Sequence, residues 1–226
     1  MKIAVLGTGM VGQALAGRLA ELGHEVTVGT RDVAATKART DPDAMGNSPY
    51  SAWAATHTDV TLATFAQAAS SAEVVVNATS GSFSMAALGD VGAKNLAGKV
   101  LVDVANPLDF SPGMPPTLFV KDADSLGEQI QRAFPGAKVV KALNTLAAPL
   151  MVNPRQLAAG DHTVFVSGND AEAKKLVTGL LESFGHTDVI DLGDITTARG
   201  AEMLLPLWLR LMGSLNTAMF NFKIVR

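Results

Sequence analysis

Short apolar runs and helical repeats of apolar residues alternate along the chain, and this alternation is typical of a parallel α/β sheet. Lys2–Leu6 is an apolar run that ends at a glycine, and it predicts a first strand. Met10–Leu22 places apolar residues at helical spacing as far as Gly23, and Glu25–Val28 predicts the second strand. The chain therefore opens with a strand, a turn, a helix and a strand.

The same alternation continues towards the C-terminus. Further strands are predicted over Glu73–Val76, Val100–Val104, Lys138–Leu143, Thr163–Val166 and Val189–Leu192, and helices over Leu62–Ser71, Asp124–Phe134 and Asp170–Phe184. Arg39–Thr58 and the proline-rich Pro107–Pro116 follow neither pattern, and we interpret both as loops. We therefore expect an α/β protein with a Rossmann-like, doubly wound, mostly parallel sheet.

The C-terminal segment has a different pattern. Asp194–Phe222 predicts a long, mostly helical tail with a kink at Pro206. Within it, Met203–Phe222 approaches the length of a membrane span but contains Arg210, and a charge at the centre of a span costs about 2.5–3.5 kcal/mol. A buried or interfacial helix is the better interpretation. We predict a larger domain over residues 1–150 and a smaller C-terminal portion, strands plus this helical extension, over 151–226.

Composition limits the partners of the protein. Hydrophobic residues make up 48% and charged residues 17% of the 226 residues, which is ordinary for a globular protein. The net charge of −3 provides no basic surface for nucleic acid or an anionic membrane. The absence of cysteine excludes disulfides, and His24, His57, His162 and His186 are too scattered to predict a metal site. No signal peptide is evident, so we expect a cytoplasmic protein.

A glycine-rich turn joins the first strand to the first helix. It matches the pattern G-x-G-x-x-G with residues Gly7, Thr8, Gly9, Met10, Val11 and Gly12. The first glycine permits a tight turn, the second lets the backbone approach a pyrophosphate, and the third lets the helix pack on the strand. The helix N-terminus directs N–H groups and the positive end of its dipole at the phosphates. Because the motif follows a strand and opens a helix, it predicts a dinucleotide site.

The end of the second strand distinguishes NADP from NAD. Proteins that bind NAD usually have an acidic residue here, about 20 residues beyond the glycines, which binds the ribose hydroxyls. This chain has Thr30 and Arg31, and a hydroxyl with a guanidinium suits a 2′-phosphate that a carboxylate would repel. Lys37 is either a further phosphate contact or an ordinary surface lysine, and Asp32, next to Arg31, is a candidate competitor for its guanidinium. We predict NADP as the cofactor.

Small and polar residues follow three later strands, at the edge of the sheet where ligands of parallel sheets bind. They are Ala78, Thr79 and Ser80, then Ala105, Asn106 and Pro107, and finally Asn144 and Thr145. Amides and hydroxyls at such positions orient a nicotinamide ring without exchanging protons. We find no G-x-S-x-G elbow and no paired acid and base, so we expect no catalytic side chain. Hydride transfer between two redox cofactors requires none, because the cofactors carry the chemistry.

Longer stretches resemble a known family. GTGMVGQALAGRLAELGHEVTVGTRD, VVVNAT, LVDVANPLDF, VVKALNTLAAPLM and TTARGAEMLLPLWLRL are similar to NADPH-dependent reductases of coenzyme F420, a 5-deazaflavin redox carrier. The last stretch also resembles the NADPH-binding domain of the six-transmembrane-epithelial-antigen ferric reductases, which pass hydride to FAD. The resemblance implies that NADP binds Thr8, Gly9, Met10, Thr30 and Arg31, and that the acceptor binds near Asn144–Ala147, Leu205 and Leu207.

Three functions stay open at this point. The resemblance implies hydride transfer between NADPH and a small-molecule redox carrier, either the deazaflavin coenzyme or FMN or FAD. The second is an NADP-dependent dehydrogenase or reductase of a small carbonyl or imine, although that class usually adds a helical domain of about a hundred residues. The third is a non-catalytic NADP sensor whose apolar tail binds a partner. The tail more simply covers the sheet or contributes to a homodimer, the commonest kind of oligomer.

Overall fold

The computed structural model describes residues 1–43 and 46–226. The main sheet contains β1 (Lys2–Leu6), β2 (Glu25–Thr30), β3 (Thr61–Thr64), β4 (Val74–Asn77), β5 (Val100–Asp103), β8 (Lys138–Ala142), β9 (Thr163–Gly168) and β10 (Asp188–Asp191). A separate hairpin consists of β6 (Leu108–Asp109) and β7 (Thr117–Leu118). The α-helices are α1 (Met10–Glu21), α2 (Val33–Ala38), α3 (Tyr50–Ala54), α4 (Phe65–Ser70), α5 (Gly81–Val91), α6 (Ala93–Leu96), α7 (Leu126–Ala133), α8 (Ala148–Val152), α9 (Ala171–Phe184), α10 (Ala198–Met203) and α11 (Leu205–Leu215).

The eight strands of the main sheet are ordered β10-β9-β8-β5-β4-β1-β2-β3. All neighbouring strands are parallel except β8 and β9, which are antiparallel. The chain runs outward from β1 to β3 and then returns to β4 on the other side of β1. This reversal of direction at β1 is the point where doubly wound sheets bind dinucleotides. The predicted Rossmann-like fold is confirmed.

Helices cover both faces of the sheet and bury its central strands. On one face α1, α8 and α9 pack against residues such as Val5 and Val140, and on the other α4, α5 and α7 pack against Leu6 and Leu101. The continuous apolar runs of β1, β4 and β5 follow from this burial on both faces. The carboxyl ends of the parallel strands β1, β4, β5 and β8 therefore lie along one edge of the sheet.

Two predictions in the first half of the chain are wrong in part. The predicted helix over Leu62–Ser71 is present only from Phe65, because β3 occupies the start of the segment and Thr64 both ends the strand and caps α4 through Gln67. The predicted loop over Arg39–Thr58 contains α3, in which Tyr50 is almost completely buried. Residues 44 and 45 of that segment lie outside the described residues. Packing on neighbouring elements, which a local pattern does not contain, explains both differences.

The segment after β5 is also more regular than predicted. Pro107–Pro116 was interpreted as a loop, whereas its first part forms β6, whose Leu108 pairs with Leu118 of β7. The helices α5 and α6 after β4 were not predicted at all. Gly81, Ser82 and Ser84 in the first turn of α5 interrupt the apolar periodicity, so the local pattern does not predict a helix there.

The C-terminal helical prediction is wrong beyond Leu215. The tail forms α10 and α11, and Asn216 adopts the left-handed conformation that ends α11. The following residues run back along the sheet, where the Phe222 carbonyl accepts a hydrogen bond from Thr163 N at 2.9 Å. Among the helices described, none has both the length and the apolar character that crossing a membrane requires. The division at residue 150 stays a prediction, and β9 and β10 extend the sheet of the first 150 residues.

Candidate active site

Two of the glycines in the turn are required by the protein itself. Gly7 has a φ of +120°, and a Cβ atom there would lie 2.6 Å from the Ala78 carbonyl oxygen. A Cβ atom on Gly12 would lie 2.1 Å from the Gly7 carbonyl oxygen, so α1 could not pack on β1. A Cβ atom on Gly9 would meet no protein atom within 4 Å. The space beside Gly9 is therefore open to a ligand, as the sequence motif requires.

The N-terminus of α1 is available to an anion. Gly9 is its N-cap, no side chain caps it, and its first turn has no acidic residue. Its first N–H groups and the positive end of the helix dipole therefore face the turn. Gln13 supports the turn from behind, because its Nε2 donates to Thr8 O at 2.9 Å and to Ser48 O at 3.3 Å. The arrangement fits a pyrophosphate held by backbone N–H groups.

A cavity of about 290 Å³ lies beside the turn at the end of β2. Its lining includes Thr30, Arg31 and Arg39 together with Gly7, Thr8, Gly29, Asp32, Ala35, Thr36 and Phe65. The Thr30 hydroxyl lies 2.8 Å from the Thr36 hydroxyl, and the Asp32 carboxylate accepts from Ala35 N at 2.9 Å. Asp32 thus caps α2 and, within residues 1–43 and 46–226, no carboxylate forms an ion pair with Arg31.

The cations of this cavity differ from those expected. Arg31 lines it, but the second cation is Arg39, which follows the C-terminus of α2. Lys37 lies on α2, is exposed, and does not line the cavity. The two guanidinium groups suit a phosphate monoester, because they provide charge-assisted hydrogen bonds to its oxygens.

A second cavity of about 230 Å³ continues the first towards β4. The two share Gly7, Thr8, Arg31 and Phe65, and the second adds Gly9, Ala78, Thr79, Ser80, Phe83, Ala86 and Ala87. The Arg31 guanidinium carbon lies 5.8 Å from the centroid of the Phe83 ring, within the range of a cation–π contact. The structure therefore brings the glycine turn, the end of β2 and the end of β4 into one cleft. Met10 is exposed beside it, and Val11 is half-buried on α1.

The ends of β5 and β8 are joined by two asparagines. Asn106 Nδ2 donates to Asn144 O at 2.7 Å, and Asn144 Nδ2 donates to Asn106 Oδ1 at 3.0 Å. Asn144 Nδ2 also donates to Ala201 O at 3.0 Å, which attaches α10 to this edge. Thr145 and Ala105 are buried beside this pair. Pro107 follows Asn106 in the sequence and leads into the β6–β7 hairpin.

The two leucines predicted near the acceptor differ in environment. Leu205 is buried at the start of α11, whereas Leu207 is 51% exposed. Neither lines the cavity that α11 forms with residues 115–122. The structure thus brings Asn106 and Asn144 together but leaves Leu207 on the surface.

A buried cluster of charged side chains lies beneath this edge. Lys141 Nζ is 2.8 Å from both Asp103 Oδ2 and Glu202 Oε1, and each of the three side chains is at most 1% exposed. Lys141 also donates to the Ala105 carbonyl oxygen. Burial alone lowers the pKa of Lys141, but the neighbouring carboxylates outweigh burial and raise the pKa above its usual value. The lysine is therefore charged, and it ties β5 and β8 to α10.

Both carboxylates of the cluster have further partners. Glu202 accepts from Leu126 N at 2.8 Å and from Gly127 N at 3.0 Å, so it caps the N-terminus of α7. Asp103 Oδ1 accepts from Asn77 Nδ2 at 2.8 Å, and Asn77 Oδ1 accepts from the Thr79 hydroxyl at 2.7 Å. One hydrogen-bonded chain therefore runs from the cleft at Thr79 to the C-terminal helices.

Comparison with known proteins identifies the family. Residues 2–107 match the family model described as NADP oxidoreductase, coenzyme F420-dependent. The chain is 31% identical to the F420-dependent NADP reductase of Methanothermobacter marburgensis, over 93% of this chain and 92% of that protein. The crystal structure of a candidate F420-dependent NADP-reductase from Arthrobacter sp. FB24 is 67% identical over the full length of both chains, with a TM-score of 0.96. The chain belongs to the F420-dependent NADP reductase family.

The predicted class of enzyme, an NADP-dependent oxidoreductase, is confirmed by this membership. The chain is also 32% identical to the metalloreductase STEAP3 of Rattus norvegicus over 92% of its length, but it spans only 38% of that protein. The resemblance that the sequence motifs indicated, to both groups, is therefore confirmed.

Sequence reasoning missed the buried charged cluster of this reductase. A signal for it exists, because Lys141 interrupts the apolar run of β8 and Asp103 ends the apolar run of β5. Charged residues are almost never fully buried unless they are paired. A lysine in one apolar run and an aspartate in another, both typical of central strands, therefore indicate that the two side chains pair with each other. Arg39 and Phe83 were also missed, and no local pattern marks either as part of a site.

Proposed function

We propose that this reductase transfers hydride between NADPH and a flavin-type carrier, the deazaflavin coenzyme or FMN or FAD. The observation that carries the proposal is the cavity at the end of β2, where Thr30, Arg31 and Arg39 lie beside the glycine turn and the nearest carboxylate, Asp32, caps a helix. A 2′-phosphate gains charge-assisted hydrogen bonds there, each worth roughly 1.5–3 kcal/mol. The ribose hydroxyls of NAD would have no acidic residue at the end of β2 to accept their hydrogen bonds.

The residues that hold the cofactor follow from the cleft. Gly7, Gly9 and Gly12 leave room for the pyrophosphate at the N-terminus of α1. Ala78, Thr79 and Ser80, with Ala105, Asn106 and Pro107, form the edge along which the nicotinamide half extends. When bound, the nicotinamide supplies the hydride. The protein binds and orients the reactants, and the pairing of Asn106 with Asn144 keeps the edge rigid.

The acceptor is inferred from the chemistry of this edge. The nearest acid and base groups, Asp103, Lys141 and Glu202, are buried and paired with one another, so they do not reach a substrate. Reduction of a carbonyl requires a positioned proton donor for the alkoxide that forms, whereas a flavin-type carrier delocalises the negative charge of the added hydride over its ring and takes its proton from solvent. Relatives with 29–31% identity are F420-dependent NADP reductases by name, which supports a deazaflavin acceptor near Asn144–Ala147.

The test is NADPH consumption by the purified protein with a panel of acceptors: deazaflavin coenzyme, FMN, FAD, small ketones and cyclic imines. We expect turnover with at least one carrier, and with NADPH in preference to NADH. Turnover with ketones or imines alone would overturn the proposal in favour of a carbonyl or imine reductase. Tight NADPH binding without reduction of any acceptor would favour a sensor. Heat-inactivated protein is the control for the direct reaction of NADPH with flavins.

We also propose that the protein is a cytoplasmic homodimer. Leu207 and Leu215 on α11 are 51% and 54% exposed, and a second copy would remove these apolar side chains from water. Light scattering at several protein concentrations measures the mass directly. A monomer at micromolar concentration would overturn the dimer, and Leu207→Glu is expected to weaken it.

A further inference from the structure

A second cleft, of about 380 Å³, lies between the segment that contains β7 and the C-terminal helices. Its floor and walls are mostly apolar and its rim is charged. One side consists of Pro115, Pro116, Thr117, Leu118, Lys121 and Asp122, and the other of Met203, Pro206 and Arg210. None of these residues lines the cofactor cleft described above.

Within residues 1–43 and 46–226, the charged side chains of the cleft form no ion pairs. Lys121 and Arg210 are exposed cations on opposite sides, and neither forms an ion pair in the part of the chain that the structure describes. Asp122 is the acidic residue of the lining, so the cleft has a net positive charge. Two unpaired cations across an apolar cleft favour an elongated ligand with an anionic group.

Both sides of the cleft are connected, through the chain and its hydrogen bonds, to the edge where the acceptor is proposed to bind. Leu118 pairs with Leu108, which directly follows Pro107, and Phe119 N donates to Pro107 O at 2.9 Å. On the other side, Ala201 O accepts from Asn144 Nδ2 at 3.0 Å, and Met203 lies two residues further along α10. The cleft is therefore linked to the pair of Asn106 and Asn144 on one side through the β6–β7 hairpin and on the other through α10.

We propose that this cleft binds the phosphate-bearing side chain of the hydride carrier, with the phosphate between Lys121 and Arg210. The inference rests on the proposed function, since it takes the ring of the carrier to lie at the Asn106–Asn144 edge. The apolar lining contacts the carbon chain that joins ring and phosphate. The cleft then selects phosphorylated carriers over the same ring without a phosphate. The 2′-phosphate of NADP binds elsewhere, at Arg31 and Arg39.

Riboflavin and FMN provide a matched pair of probes, because they differ only in the terminal phosphate. With saturating NADPH, we expect the wild-type KM for FMN to be about tenfold below that for riboflavin, the effect of one charge-assisted contact. The double variant Lys121→Ala/Arg210→Ala is expected to raise the KM for FMN about tenfold and leave the KM for riboflavin and for NADPH within about twofold. Lys175→Ala, an exposed lysine on α9, is the matched control and should change none of these values.

A binding titration makes the test independent of turnover. Quenching of flavin fluorescence by the NADP-saturated protein gives the Kd of each flavin, and inorganic phosphate should compete with FMN but not with riboflavin. Equal Kd values for the two flavins in the wild type, or equal losses for both in the double variant, would overturn the inference. If FMN, FAD and the deazaflavin coenzyme all fail to be reduced but FMN still binds in a manner that depends on Lys121 and Arg210, the proposed function fails and the cleft assignment stands.

Discussion

Lys141 on β8 and Asp103 on β5 are paired across the sheet, with 2.8 Å between Nζ and Oδ2 and no more than 1% of either side chain exposed. The pair lies directly below Ala105 and Asn106, at the edge that we assign to the nicotinamide and the acceptor. Through Glu202 it also reaches the N-terminus of α7. A buried ion pair adds little net stability over well-packed apolar side chains, but loss of one member leaves a charge without compensation.

We therefore expect Lys141→Met to be strongly destabilising. The substitution leaves Asp103 and Glu202 as neighbouring buried carboxylates, and the free energy of unfolding should fall by about 3–5 kcal/mol. Urea denaturation followed by circular dichroism measures the change. Lys138→Met on the same strand is the control, because its ion pair with Asp170 is partly exposed and should contribute about 1 kcal/mol or less. Similar losses in the two variants would contradict the assigned role of the cluster.

Substitutions at two glycines of the turn should have different effects, one on the stability of the fold and the other on NADPH binding. Gly12→Ala places a Cβ atom 2.1 Å from a carbonyl oxygen, so we expect a loss of about 1–3 kcal/mol of stability. Gly9 has a φ of −81° and open space around it, so Gly9→Ala should fold with stability within about 1 kcal/mol of the wild type. Its new methyl group should nevertheless weaken NADPH binding about tenfold or more, measured by calorimetry. Unchanged affinity in Gly9→Ala would place the pyrophosphate elsewhere.

The cavity at the end of β2 predicts which cations recognise the 2′-phosphate. Arg31→Ala and Arg39→Ala should each raise the Kd for NADPH about tenfold or more and leave the Kd for NADH nearly unchanged. Lys37→Ala should have a smaller effect, because Lys37 does not line the cavity. Fluorescence titration with both nucleotides measures the ratio. A larger effect at Lys37 than at Arg39 would favour the contact expected from the sequence.

His186 predicts a loss of stability in mild acid. Burial is the main reason that its pKa falls from 6.5 to about 4, while the hydrogen bond to the Met151 carbonyl raises the pKa and His162 lowers it. Between pH 4 and 6.5 the unfolded chain therefore binds a proton that the folded chain does not, so stability falls as the pH falls through this window. At about 1.4 kcal/mol per pKa unit, the loss amounts to about 3 kcal/mol.

The measurement is urea denaturation at intervals from pH 7 to pH 4, for the wild type and His186→Gln. The glutamine retains a donor for the Met151 carbonyl and does not titrate. We expect the difference in unfolding free energy between the two proteins to change with pH across the window. A difference that does not change with pH would show that His186 has the same pKa in the folded and the unfolded protein.

The cofactor half of the site was predictable because its determinants are local in sequence. The turn from Gly7 to Gly12, the strand before it and the helix after it lie within about twenty residues, and the distance from the glycines to Thr30 and Arg31 is set by one helix and one turn. The apolar runs of β4, β5 and β8 likewise determine strands buried on both faces. Local pattern was insufficient at α3 and α5, where packing on the sheet decides the conformation.

The sequence by itself thus determined the Rossmann-like order of elements, the glycine turn and the absence of an acidic residue at the end of β2. Only the tertiary structure decided which distant residues meet. Asp103, Lys141 and Glu202 converge because β5 and β8 are neighbours in the sheet and α10 packs on their ends. Lys121 and Arg210 line one cleft because the segment of residues 115–122 lies beside the C-terminal helices. Such contacts depend on strand order and helix docking, which local periodicity does not encode.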